Sequence, residues 1–210
     1  VKCRVHLYQQ WTGIRARHLT PAKLKRVAGH WLQTFNPSGI AIFVTEPNTL
    51  TLLFLSKLEE QVDRAEHLLA LIPLDKLEWQ PLPNSLRLCD VLGHLLECLS
   101  GFCGTLYAIN PERLAHFARL RSLPVNHCCG VDEARERVRE YATSIREGFA
   151  VLTDDDLERL VPTVFAPEGK EVVSILLSNL EHLVNHKYQL FFYLKLLGAR
   201  VATSDLYQID

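Results

Sequence analysis

Apolar residues recur every three to four positions through four long stretches of the chain, the spacing of helices with one buried face. In the first, from about Thr49 to Leu71, Leu52, Leu55, Leu58, Val62, Ala65, Leu68, Leu69 and Ile72 share a face. Pro73 and the run Trp79-Gln-Pro-Leu-Pro83 stop it and form a connector. The second, from about Leu86 to Tyr107, carries Leu88, Val91, Leu92, Leu95, Leu99 and Phe102, with Asn84 or Ser85 as the expected N-cap. A connection of about 20 residues follows, Asn110 to Gly130, with room for a short helix near Glu112 to Arg121. The third runs from about Val131 to Leu152 and pairs charges at helical spacing, Glu133 with Arg137 among them. The polar turn Thr153 to Asp156 leads through Pro162 and Pro167 to the fourth, about Lys170 to Leu197, which Gly198 should end. The tail from Ala199 to Asp210 is expected to be irregular. Strand-like alternation is confined to Ile40–Val44, too short to build a sheet. The pattern predicts an all-α protein, a four-helix bundle with a long connection between its second and third helices.

Composition adds a boundary. The net charge is −1, yet residues 1–45 carry seven Lys or Arg and no acid, whereas the rest carries 16 basic against 24 acidic residues. Methionine is absent and the chain opens with Val. Residues 1–45 therefore read as an N-terminal extension of doubtful order, and residues 46–210 as the bundle domain. A body with a surplus of eight acids is a poor electrostatic match for nucleic acid. The strongest candidate for a membrane span, Val172 to Gly198, is broken by Asn179, Glu181, His182, Asn185, His186, Lys187 and Gln189, so no membrane is expected as a partner. No signal peptide is read at the N-terminus, and none of the six cysteines forms a CxxC pair. The expectation is a cytoplasmic protein with free thiols.

The chemistry concentrates on the fourth helix. His182 and His186 stand one turn apart, so both imidazoles project from one face. Gln189 and Tyr193 share that flank of the apolar stripe formed by Val172, Leu176, Leu180, Leu183, Phe191 and Leu194. His94 occupies a similar flank on the second helix, and the two helices can face each other in a bundle. Three imidazoles on one divalent ion leave a position open to water or substrate, the pattern of a catalytic site. Two partly buried histidines, each bonded to a neighbour, explain the HxxxH spacing equally well. Cys98, one turn after His94, is a candidate thiol near such an ion, or a small buried hydrophobe. Glu97 lies away from the stripe on a helical wheel, which suggests a surface role. Glu181 is a candidate acceptor for a ligand's outer N–H. Tyr193 could donate to a substrate or bond a backbone carbonyl.

Glu181 to Gly198, EHLVNHKYQLFFYLKLLG, resembles the closing helix of the DinB/YfiT-like superfamily of metalloenzymes, and Asp90 to Glu97, DVLGHLLE, resembles the motif around that family's first metal histidine. The Trp79–Pro83 connector is also similar. The resemblance spans about Leu50 to Tyr207. It implies a metal triad of His94, His182 and His186, with Gln189 as a hydrogen-bonder behind it. Asn185 and Arg87 depart from the family pattern at positions that are not ligands. Zinc or nickel is the first expectation for the ion, with iron or manganese next, since imidazole selects weakly. The resemblance further implies a thiol S-transferase that uses a small thiol and an electrophile, and a homodimer. A metal-dependent hydrolase and a non-catalytic metal-binding bundle of a stress response are the alternatives.

Overall fold

The computed structural model describes residues 33–35, 41–43, 48–163 and 166–207. The chain divides into two compact units, Val1–Glu46 and Pro47–Asp210. In the first, β1 (Gln33–Phe35) pairs antiparallel with β2 (Ala41–Phe43), Thr34 opposite Ile42. The expectation about residues 1–45 otherwise lies outside the described residues, as does the thiol of Cys3.

The second unit is a four-helix bundle. Its long helices are α1 (Thr49–Ala70), α2 (Leu88–Ile109), α4 (Val131–Ala150) and α5 (Val172–Leu196). A five-residue helix, α3 (Phe117–Arg121), lies in the long connection and packs on α2. α2 packs against α4 and α5, and α1 packs against the same two, so the four form a closed square. Among the described residues of this unit the strands are one short pair, β3 (Leu160–Val161) with β4 (Lys170–Glu171), just before α5.

The apolar stripes meet as the periodicity requires. Leu58, Leu68, Leu92, Leu96, Phe102, Leu176, Leu183, Leu190 and Leu194 are fully buried in one core. Each such side chain contributes about 1.5–3 kcal/mol by leaving water. The expected α1 stripe needs one correction. Leu52 is exposed and Thr51 is buried, because Asp154 reaches α1 from the 153–156 turn. Its carboxylate accepts from the N–H of Leu50 (3.1 Å) and from the N–H and hydroxyl of Thr51 (2.9 and 2.6 Å). That satisfies donors an α-helix leaves open at its start and covers Thr51.

The start of α2 also differs from expectation. The cap is Arg87 rather than Asn84 or Ser85, and Asp90 accepts from its backbone N–H at 3.3 Å. The connector completes the job: the N–H groups of Leu88 and Cys89 donate to the carbonyls of Trp79 (2.8 Å) and Leu77 (2.9 Å). α5 ends as the sequence indicates. Gly198 adopts φ 75°, which lets Ala199 N–H return to the Leu194 carbonyl at 3.0 Å.

Two further expectations are overturned. Among the described residues one helix, α2, is long and apolar enough to cross a membrane by length and composition, although the sequence reading placed the strongest candidate at 172–198. Most of that window, 61%, is buried inside the bundle, because α2 contacts helices on two sides and α3 besides. Cys89 and Cys128 are not free thiols but a disulfide. Cys98, Cys103 and Cys129 remain unpaired and buried.

Candidate metal centre

α2 and α5 bring His94, His182 and His186 together. Their donor nitrogens lie within 4.8 Å of one another. The ring centroids stand 4.2 Å (His94–His186), 4.8 Å (His182–His186) and 5.0 Å (His94–His182) apart, each pair close to edge-on. Nε2 of His182 faces Nε2 of His94 at 3.1 Å. Two imidazole nitrogens on one tetrahedral zinc at 2.0–2.1 Å would be separated by about 3.3 Å. The spacing therefore fits a shared ion with little movement.

The outer hydrogen bonds fix which nitrogen faces inward. On α5 the direction can be traced to a backbone group. Tyr193 must donate its hydroxyl to the Leu86 carbonyl (3.0 Å), so its oxygen accepts from Gln189 Nε2 (3.3 Å). Gln189 Oε1 then accepts from His186 Nδ1–H at 2.7 Å. With the proton on Nδ1, His186 Nε2 carries the lone pair. Trp79 packs edge-on against the Tyr193 ring at 5.5 Å and holds this chain in place. On α2, His94 Nδ1 meets two acceptors, Asn126 Oδ1 at 2.5 Å and Glu97 Oε2 at 3.0 Å. That again places the proton on Nδ1 and leaves the lone pair on Nε2, the form in which it could coordinate a metal.

Burial sets the charge state. It pushes the imidazoles of His182 and His186 below their ordinary 6.5, and His94 nearby acts in the same direction on both. The Gln189 bond partly opposes this at His186. Neutral rings are the form that coordinates a metal.

The remaining candidates divide clearly. Gln189 is the hydrogen-bonder expected. Tyr193 commits its proton to Leu86 rather than to a ligand, and is buried. Cys98 is a core residue outside the histidine cluster; burial, with Glu97 adding to it, pushes its thiol up to about 12. Glu97 is not a simple surface carboxylate, since it reaches His94. Its i,i+3 spacing from His94 was the available signal. Asn126 was missed outright. It stands 32 residues from His94, and only its left-handed φ of 55°, a conformation asparagine tolerates, marks it out.

No family model and no curated protein matches the chain. Among solved structures it is similar to a DinB-like protein, YjoA, from Bacillus subtilis, at 17% identity and a TM-score of 0.55. The match covers 70% of this chain and 92% of that one. With four long helices in that arrangement and a histidine cluster able to hold a metal, the chain has the DinB-like fold.

Proposed function

We propose that the protein binds one divalent metal ion through Nε2 of His94, His182 and His186 and uses it to activate a small thiol for transfer to an electrophile. The observation that carries the metal is the convergence of three nitrogens while two of the rings have their outer N–H groups tied to acceptors. A bound zinc or nickel would supply a Lewis acid that lowers the pKa of a thiol or water in its open position.

The protein's own groups favour the thiol. All three donors are neutral, so the ion keeps its full charge for an anionic sulfur. Hydrolysis by a metal-bound water usually calls for a carboxylate base beside it. The carboxylate that reaches this cluster, Glu97, binds the outer nitrogen of His94, on the wrong side for that task. A thiol coordinated to such an ion would be acidic enough to give its proton to solvent without that base.

Elemental analysis of untagged protein, beside His182→Ala, tests the reading. About one equivalent of a divalent metal in the wild type and none in the variant is expected. Metal-dependent loss of an electrophile only when thiol is present would support transfer. Turnover without thiol would point to a hydrolase. Stoichiometric metal with no turnover, and a melting temperature that collapses on chelation, would mean a structural ion.

A further inference from the structure

Residues 126–129 are fastened to the part of α2 that carries His94. Asn126 N–H donates to the Gly93 carbonyl at 3.1 Å, and Cys129 N–H to the Cys89 carbonyl at 3.2 Å. Between them the backbone of His127 crosses Gly93 so closely that a Cβ there would meet the His127 carbonyl oxygen at 1.9 Å. Only glycine allows that approach. The third fastening is covalent. The Cys89–Cys128 disulfide joins the first turn of α2 to a residue 39 positions later, at the far end of the long connection. Cys89 is wholly buried, whereas Cys128 is exposed, so one sulfur of the pair is open to solvent. The same loop carries Asn126, whose side-chain oxygen holds His94 Nδ1 at 2.5 Å.

We propose that the Cys89–Cys128 disulfide latches this loop, that Asn126 is a positioning residue for His94, and that reducing the bond lowers the affinity of the three-histidine site for its metal. The inference rests on the metal-centre reading above. In the oxidised protein the loop is held by the covalent bond, the backbone contacts and a 2.9 Å bond from His127 Nε2 to Glu133 together. A dithiol reductant gives two electrons and two protons to the bond, leaves as its own cyclic disulfide, and frees both cysteines as thiols. The loop then keeps its backbone contacts and the His127–Glu133 bond but loses its covalent tie, so Asn126 is held less firmly against His94, whose Nδ1 is left to lean on Glu97. Loss of such an orienting partner typically weakens metal binding by about 10–100-fold.

Zinc affinity measured by competition with a chromogenic chelator tests the latch. Cys128→Ser is the variant of choice: the residue is exposed, and the change avoids a dithiol that, beside Glu78, would itself offer donors to zinc. Cys128→Ser and Asn126→Ala should each weaken zinc by about tenfold or more. Asn126→Asp keeps the accepting oxygen and should retain wild-type affinity. Circular dichroism checks that each variant keeps its helices, and wild type reduced by the dithiol, then alkylated at Cys128, gives a second route to the open state. Unchanged affinity in folded Cys128→Ser and in the alkylated protein would overturn the latch. Equal losses in Asn126→Asp and Asn126→Ala would overturn the positioning role. If oxidised wild type binds no zinc at all, the metal centre itself falls, and the latch with it.

Discussion

The two arms of the histidine cluster are built in different ways. On α5, His182 and His186 sit a turn apart, and the groups that orient His186 follow on the same helix at Gln189 and Tyr193. The anchor at the end of that chain, the Leu86 carbonyl, belongs to the connector beside α2. On α2, His94 Nδ1 is shared between Glu97, one turn along the same helix, and Asn126, from a loop held by a disulfide and by a backbone contact over a glycine. The α5 arm is thus set largely by one helix, whose geometry repeats wherever the helix forms. The α2 arm is set in part by tertiary contact, through Asn126, and the proposed latch would act on that part while every helix stays intact.

Removing a ligand breaks both arms alike and gives the largest effect. His94→Ala and His186→Ala should each abolish stoichiometric metal in elemental analysis while leaving the helical circular dichroism signal in place. Metal retained in His94→Ala would mean that α5 alone forms the site, and the comparison would lose its second arm.

Gln189→Leu acts on the α5 arm only. It leaves His186 Nδ1 without its acceptor and Tyr193 without its donor. Zinc affinity should fall about 10–100-fold. Unlike the loss in the α2 arm, it should be the same in oxidised and reduced protein. A redox-dependent loss in this variant would show that the two arms are coupled.

Proton competition should follow. His182 and His186 titrate below 6.5, chiefly because they are buried. Zinc affinity should lose up to about tenfold per pH unit for each of these two rings once the pH drops below its depressed value. In the metal-free protein the unfolded chain takes up those protons first. That part of the stability is complete above 6.5 and is lost as the pH falls from 6.5 through the folded values. Chelator competition and urea titration between pH 7 and 5 measure the two effects. Affinity that is flat across this range would argue against imidazole ligands.

The contrast between the arms also explains what could be read from the chain beforehand. Helix positions follow from residues three and four apart, so α1, α2, α4 and α5 were legible to within a few residues, as was the Gly198 stop. The placing of His182 and His186 on one face, and of Gln189 one turn beyond His186, is a property of one helix and was legible too. The disulfide, Asn126 and the cap at Arg87 depend on which segments meet after folding. Cys89 and Cys128 are 39 residues apart with no local motif to join them, and composition favoured free thiols. Glu97 was misplaced for a different reason. A helical wheel shows the face from which a residue starts, whereas a glutamate is long enough to reach round to His94.

Asp154 offers the smallest test and a control for the comparison. Like Asn126 it is a loop residue that serves a helix distant in sequence, accepting from Leu50 and Thr51 while its own N–H donates to Asn48 Oδ1 at 3.1 Å. Burial pushes its carboxyl up, but the Thr51 hydroxyl and the Thr51 and Leu50 N–H groups outweigh that and hold it below the ordinary 3.8. Its contribution to stability is therefore present above that value and is lost as the pH falls through the lower folded one. Asp154→Ala should cost about 1 kcal/mol in urea titration at pH 7, the usual cost of a lost helix cap. Zinc affinity should stay within about twofold of wild type, because the cap touches none of the three imidazoles. If Asp154→Ala weakened zinc as much as Asn126→Ala, any loosening of the bundle would disturb the site. The sensitivity assigned to the Asn126 loop would then belong to the whole fold.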